Sequence, residues 1–448
     1  MDLALRRLGP RAGALTFAVL WLGCATPSRD RGWVADELTR RTGHAIRTSG
    51  GDEGDLPDGV SLEDGLDEDE VVALALWNSP TFAADMARLR AATADFDEAA
   101  RIDNPRISAL GPLGVINAAA SFIAPIMSLF QLPQRTEAAG RALESVAESL
   151  VQSGLDLARD ARLAHVDRAL AEARVTLLAE LAAIADNLGA LAEARSASGD
   201  VNPADALAVR AQAFIAADAA AVAARELEVT TARLQAVVGG EPGAPLTVVT
   251  ERALPDRAPP LADLLPLARA ARPDLRAAEL ELEGAAARAG WERSRIVSLS
   301  VQADAQWNAT AGGVRVGGVV DLPIFNQNQG GVGRAAAAIE RAAHRVDAVR
   351  QQVGLEVVTA RAQLEQSLVS YERYERDIVP PLEATLAAAT QRYELGDDSY
   401  LVVLDASGRL GAARLRLAEL EADVRRAHAQ LERAVGARLE IGDGTEDR

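Results

Sequence analysis

The 448-residue sequence predicts a mainly α fold with a small β part and an internal duplication. Alanine is abundant while aromatic residues make up 4% of the chain, a balance that suits closely packed helices. Apolar residues recur at alternating steps of four and three through Leu177, Leu181, Ile184, Leu188 and Leu191, and nearly so through Val346, Val349, Val353, Val357, Ala360 and Leu364. A repeat of about 3.5 residues implies coiled-coil packing with a left-handed supercoil. The second half also restates the first: Gly396 follows Gly199, and Gly436 follows Gly239, by the same 197 residues.

Residues 1–23 read as a targeting segment. Arg6, Arg7 and Arg11 form a basic start, Ala12 to Trp21 is mostly apolar, and Leu22-Gly23-Cys24 closes it. The pattern resembles a bacterial lipoprotein signal, with Cys24, the one cysteine, as the lipid attachment point. The alternative is an ordinary secretory signal with an incidental cysteine. Ala25 follows in place of aspartate, which by the same resemblance suits delivery to the outer membrane. Residues 24–70 are acidic and glycine-rich with few apolar anchors, and predict a flexible leader.

The first repeat is assigned to 71–239. Its opening helix ends at Asn78-Ser79-Pro80, and the next runs to about Arg101. A strand pair is predicted near Arg106–Leu113 and Ala120–Leu132, closing at Leu132-Pro133-Gln134, although Gly111 to Phe122 could instead be a loop. No proline occurs between Pro133 and Pro203, so a helix of some 60 residues, roughly 90 Å long, is expected. Gly199-Asp200-Val201-Asn202-Pro203 then turns the chain back, with Asn202 as cap and Pro203 in the first turn. The proline-rich stretch 240–260 links the halves.

The second repeat, 261–437, follows the same order. A helix to Ala271 and Arg272-Pro273-Asp274 lead to a second helix, and a hairpin of Val297–Gln306 and Val314–Leu322 turns around Ala309 to Gly313. The hairpin gives way to a helix at Asp321-Leu322-Pro323-Ile324-Phe325-Asn326-Gln327-Asn328-Gln329-Gly330. Pro323 suits a strand's end, and Asn326 or Asn328 could cap the helix. A kink or break is expected at Pro380-Pro381. Gly396-Asp397-Asp398-Ser399 is the second turn, and 438–448 is a short charged tail.

Composition excludes several chemistries. The chain has no lysine, so lysine-dependent phosphate loops and Schiff bases are ruled out. The formal charge of -18 becomes -20 once residues 1–23 leave with three arginines and one aspartate, which argues against nucleic-acid binding. His44, His165, His344 and His428 are isolated, so no metal site and no cofactor is expected. Gly330-Gly331-Val332-Gly333-Arg334 lacks the rest of a phosphate loop, and no catalytic pairing is present, so no enzyme is expected. No stretch after the signal offers about 20 uninterrupted apolar residues, so a spanning helix is not expected. Four strands cannot close a barrel, for which about eight are needed. Either the strands join those of identical subunits or they never enter a membrane.

Over residues 70 to 437 the chain resembles the TolC-type outer-membrane efflux family. The resemblance rests on the Asn78-Ser79-Pro80 and Arg272-Pro273-Asp274 openings, the Leu322-Pro323-Ile324-Phe325 joint, both glycine turns, and Val402-Val403-Leu404-Asp405. It implies a homotrimer in which each protomer adds four strands to one transmembrane β-barrel above a long coiled-coil α-barrel in the periplasm. It also implies a passive duct working with a periplasmic adaptor protein and an inner-membrane pump. The joint, with Pro323, Phe325 and Gly330, is similar to that of the CzcC-type subgroup, whose pumps export heavy-metal cations.

The resemblance further implies a periplasmic gate of aspartates at Asp397, Asp398 and Asp405. A second family aspartate position is occupied by Val402, whose repeat partner is Asp205. These aspartates equally suit the helix dipole at a helix start. Gly199, Asp200, Gly396 and Asp397 are implied as adaptor-docking turns, or serve only to reverse the chain. The rival readings are a duct for drugs or for type I protein export, and a periplasmic coiled-coil adaptor lipoprotein.

Overall fold

In the computed structural model, which describes residues 29–47, 56–57, 59–61, 64–111, 118–241, 243–244, 246–250, 253–307, 311–395 and 400–439, one element order occurs twice. The signal segment, Cys24, Gly396, Asp397 and Asp398 lie outside the described residues. After α1 (Arg31–Thr42), the first pass is α2 (Glu68–Asn78), α3 (Pro80–Ala99), β1 (Arg106–Leu110), β2 (Ala118–Pro125), α4 (Met127–Ala197) and α5 (Pro203–Val237). The second is α6 (Leu261–Ala271), α7 (Pro273–Ser294), β3 (Ser298–Trp307), β4 (Gly312–Asp321), α8 (Gln329–Arg373), a π turn (Tyr374–Ile378), α9 (Val379–Leu395) and α10 (Tyr400–Val435).

Helix starts follow from local chemistry. Asp67 accepts from the Glu70 amide at 2.7 Å while Glu70 accepts from the Asp67 amide at 2.9 Å, a capping box that opens α2. Pro80, Pro203 and Pro273 each occupy the first helical position, where the missing N–H has no intrahelical partner to lose.

Contacts divide the chain into two units. One holds residues up to Val34 together with 85–150 and 273–350. Its four strands form one antiparallel sheet in the order β1-β2-β3-β4, with both end strands unpaired on one side. Beneath the sheet α3, α4, α7 and α8 pack through small contacts: Gly140 faces Phe96, Gly284 lies against Arg141, and Ser145 Oγ donates to Ala277 O at 2.9 Å.

The other unit holds 35–84, 151–272 and residues from Gln351 on. Its core runs along the long helices through Val151, Val166, Val357, Leu364, Val424 and Leu431. The returning helices α5 and α10 end alike, on Gly239 at φ +71° and Gly436 at φ +80°. Each presses on the end of a short helix, where a Cβ would stand 2.8 Å from Asn78 O and 3.3 Å from Ala271 O respectively. Only glycine combines that backbone with that approach.

Several expectations need correction. The first strand-to-helix joint is not at Leu132-Pro133-Gln134: β2 ends at Pro125 and Pro133 lies inside α4. Residues 126–132 are apolar enough to read as strand, yet Ser128 Oγ donates to Pro125 O at 2.8 Å and the helix is under way before the proline. The helix therefore has 71 residues rather than some 60. At Pro380-Pro381 the chain stays helical, because the π turn beforehand shifts the bonding so that the Val379 amide reaches Tyr374 O.

Nor is the leader free throughout. Leu38 and Ile46 are buried, Leu38 fills the space beside Gly154, and the Arg41 guanidinium donates to Ala271 O and Gly436 O.

The seam predicted on α8 is buried at every position from Val346 to Leu364, but on α4 it is the small residues Ala185, Gly189 and Ala192 that are buried. Ile184 and Leu191 are exposed, because periodicity marks an apolar stripe without saying which partner covers it. Finally, α4 and α5 each hold a stretch long and apolar enough by length and composition to cross a membrane, although charged residues interrupt both. Alanine raises the average while the charges are spread thinly, as between residues 211 and 224, where Asp218 is the one charge.

Candidate functional site

Three places in the molecule bring the singled-out residues together, and each forms within one unit. In the strand-bearing unit the joint after β4 is held by Asn328, the one described non-glycine residue with positive φ, at +57°. Its amide donates to Asn326 Oδ1 at 3.0 Å, and its carbonyl receives the Val332 amide at 3.0 Å, the first turn of α8. Its side chain does not cap that helix. Nδ2 instead donates to Glu292 O and Glu292 Oε2 on α7, both at 2.8 Å, tying two helices at the strand exit. Gly331 has no room for a side chain, since a Cβ would crowd Asn328 Oδ1 and lie 2.5 Å from Glu292 Oε2. Gly330 is open apart from Arg334. Pro323 is half-buried, and Leu322, Ile324 and Phe325 project outward, Phe325 being 93% exposed.

In the other unit the first glycine turn closes α4 with paired bonds. The Asp200 amide donates to Arg195 O at 2.9 Å and the Gly199 amide to Ser196 O at 3.1 Å, around Gly199 at φ +85°. Asn202 Oδ1 then accepts from the Ala204 amide at 3.0 Å to open α5, as predicted. Gly199 and Asp200 are exposed, and nothing lies within 4 Å of a Cβ placed on Gly199. Asp405 is exposed one turn into α10 and pairs with Arg409 Nε at 2.9 Å.

Sequence reasoning missed the residues that join the two hairpins here. Tyr400, at the first position of α10, is buried against Ala192, Ala206 and Val209, with Leu188, Val201, Tyr393 and Leu404 around it. Burial pushes its hydroxyl pKa up, and the nearby charge of Asp205 pushes it further. The Arg195 guanidinium lies 5.1 Å from the Tyr393 ring centroid. The available signal was the scarcity of tyrosine: two of the four flank the second turn.

The third place surrounds the end of α10. Arg272 is 2% exposed, and its guanidinium donates to Glu356 Oε2 at 2.7 Å and to Ala434 O at 3.1 Å. Arg433 joins the same carboxylate and reaches Asp156 at 2.6 Å. Burial raises the Glu356 pKa, but hydrogen bonds from Gln352 and Arg272 and the charges of both arginines outweigh it, so the net direction is down. Nearby, His165 is 2% exposed, with Nε2 3.2 Å from Leu66 O and 3.1 Å from Val249 O. Both carbonyls accept from it only if Nε2 carries the proton. Desolvation lowers its pKa, although Glu68 and the two carbonyls pull the other way. Among the described residues no group of three His, Cys, Asp or Glu side chains is arranged to hold a metal ion.

Comparison with known proteins adds the following. Residues 264–437 match the outer membrane efflux protein family. The chain is 30% identical over 273 residues to the cobalt-zinc-cadmium resistance protein CzcC of Cupriavidus metallidurans, an alignment covering 60% of this chain and 64% of that one. It is 28% identical over 181 residues to the toluene efflux pump outer membrane protein TtgI of Pseudomonas putida, covering 37% of each. The match thus spans less than two thirds of either relative's length. Among solved structures, CusC superposes with a TM-score of 0.71 at 20% identity, over 83% of this chain and 93% of that one. The outer membrane protein VceC of Vibrio cholerae superposes with a TM-score of 0.70 at 19% identity, over 83% of this chain and 97% of that one. The fold is that of these proteins.

Proposed function

We propose that this chain, whose residues 264–437 match the outer membrane efflux protein family, is a member of that family and the passive outer-membrane duct of a tripartite efflux system. The observation that carries the reading is the sheet. Four strands with a polar face, an apolar face and two unpaired edges cannot lie in a bilayer alone, and three copies joined edge to edge close the barrel. The same assembly covers the exposed apolar stripe of α5, where Leu207, Phe214, Ile215 and Val222 are each more than half exposed in the protomer. The helices α4 and α5 then line a periplasmic tunnel rather than crossing the membrane, and the strands alone span it. The partners are an inner-membrane pump and a periplasmic adaptor protein, and no catalytic step is assigned to the chain.

The cargo we propose is heavy-metal cations, following the cobalt-zinc-cadmium relative and the form of the Pro323–Gly330 joint. The toluene efflux relative supports organic solutes as the alternative. Susceptibility of a deletion strain separates these: sensitivity to cobalt, zinc and cadmium alone supports the first, and sensitivity to solvents or drugs alone overturns it.

Cys24 is the proposed lipid anchor. The turns at Gly199-Asp200 and Gly396-Asp397 are the proposed docking points for the adaptor. Asp405, with Asp397 and Asp398, forms the proposed periplasmic gate, on the helix whose first residue, Tyr400, packs between the two hairpins. Asp405→Ala should change cation preference in bilayer recordings. Unchanged selectivity removes Asp405 from the gate.

A further inference from the structure

We infer that Asp304 and Arg315 form a mixed-charge girdle on the polar face of the sheet that sets the ion preference of the duct's outer end, an inference that rests on the trimeric duct reading. Side chains alternate along the strands. On β3, Ser300, Gln302, Asp304 and Gln306 share one face, while Val301, Ala303, Ala305 and Trp307 share the other. On β4 the face of Asp304 carries Arg315, and the opposite face carries Val314 and Val316, which are 70% and 74% exposed. Only the polar face tolerates water, so in a closed barrel it lines the lumen.

One row of this face crosses all four strands. Ser108 pairs with Ser121, Ser121 with Asp304, and Asp304 with Arg315. The sheet's four charged residues are Arg106, Asp304, Arg315 and Asp321. Arg106 begins β1, and Asp321 ends β4, where Ser298 Oγ donates to it. Asp304 and Arg315 are therefore the two charges placed inside strands. Each lies three residues from the β3–β4 hairpin, about 10 Å along the strand.

Asp304 is held by neutral donors. Its Oδ1 accepts from Ser121 Oγ at 2.5 Å and from Gln302 Nε2 at 2.8 Å, and its Oδ2 lies 3.0 Å from the same Nε2. Arg315, its neighbour across the ladder, makes no ion pair with it. The two charges therefore attract across the ladder without closing into an ion pair, and both face the lumen, where fixed charges act on ions within about 10 Å. Ser121 and Gln302 are positioning residues. Replacing Asp304 leaves the arginines of three protomers uncompensated, and replacing Arg315 leaves the carboxylates.

The test uses the purified full-length chain in planar bilayers under a potassium chloride gradient. Asp304→Asn is expected to lower the potassium-to-chloride permeability ratio several-fold, and Arg315→Gln to raise it several-fold, read as opposite shifts of the reversal potential. Asp321→Asn, at the far strand end, should shift it much less. Arg315→Cys gives a second measurement: a cationic methanethiosulfonate added from the outer side should restore the original ratio, and an anionic one should move it further. Conductance with an unchanged ratio in Asp304→Asn and Arg315→Gln, or an Arg315→Cys thiol that no reagent reaches, overturns the girdle and leaves the duct reading standing. A wild-type chain that forms no channel overturns both.

Discussion

Replacing Arg272 with alanine should destabilise the protein by about 3 kcal/mol. The guanidinium is buried and serves Glu356 Oε2 at 2.7 Å, Ala434 O at 3.1 Å and Arg433 O at 3.5 Å, so its removal strips a partner from a half-buried carboxylate and from the end of α10. Breaking a buried ion pair costs about 3–5 kcal/mol, and the lower end applies because Arg433 remains on Glu356. Combining Arg272→Met with Glu356→Gln should recover part of the loss, since an apolar side chain then faces a neutral amide and Arg433 keeps its pair with Asp156. Guanidinium unfolding of the purified full-length chain, followed by helical circular dichroism, reads both effects as a lower midpoint at unchanged slope. A loss within about 0.5 kcal/mol for Arg272→Ala, the range of an ordinary surface change, would refute the argument.

Other expectations concern the joint after β4 and buried His165. Gly331→Ala should break the Asn328–Glu292 bonds and cost about 1–3 kcal/mol, seen as faster trypsin cleavage at Arg295 and Arg334. Adding Glu292→Ala to it should make little further difference if both act on the same contact. His165 has a depressed folded pKa, so the unfolded state binds its proton first and the stabilisation present above 6.5 is lost as pH falls below that value. Protection factors, deuterium uptake divided by the intrinsic exchange rate at each pH, should therefore fall over residues 64–70 and 246–250 from about pH 8 to about pH 5 in the wild type and not in His165→Phe. Equal protection factors at both pH values in the wild type would remove His165 as the cause.

Much of the architecture was legible in the chain. The fixed offset of 197 residues between Gly199 and Gly396, and between Gly239 and Gly436, predicted the doubled order of helices. The hairpin Ser298–Trp307 and Gly312–Asp321 followed from alternation within two residues of its ends. Asn202 and Pro203 announced their own turn, because capping depends on neighbours in sequence.

What escaped was set by partners distant in sequence. Residues 126–132 carry an apolar run compatible with strand or helix, and packing in α4 resolved it, so Pro133 became an interior residue. Leu38 looked like an isolated apolar residue in an acidic leader until the gap beside Gly154 gave it a socket. Asn328 had the composition of a cap, and Glu292, 36 residues away, diverted its side chain.

By itself, then, the sequence determined the order of elements and the first turn between the long helices, since these follow from local propensity, and counting strands narrowed the sheet to two readings, shared with identical subunits or outside a membrane. Only the tertiary structure decided which apolar stripe each helix buries, which tyrosine joins the hairpins, and that Arg272 closes the end of α10. Those choices belong to surfaces that meet across more than 80 residues of chain, where neither periodicity nor propensity carries information.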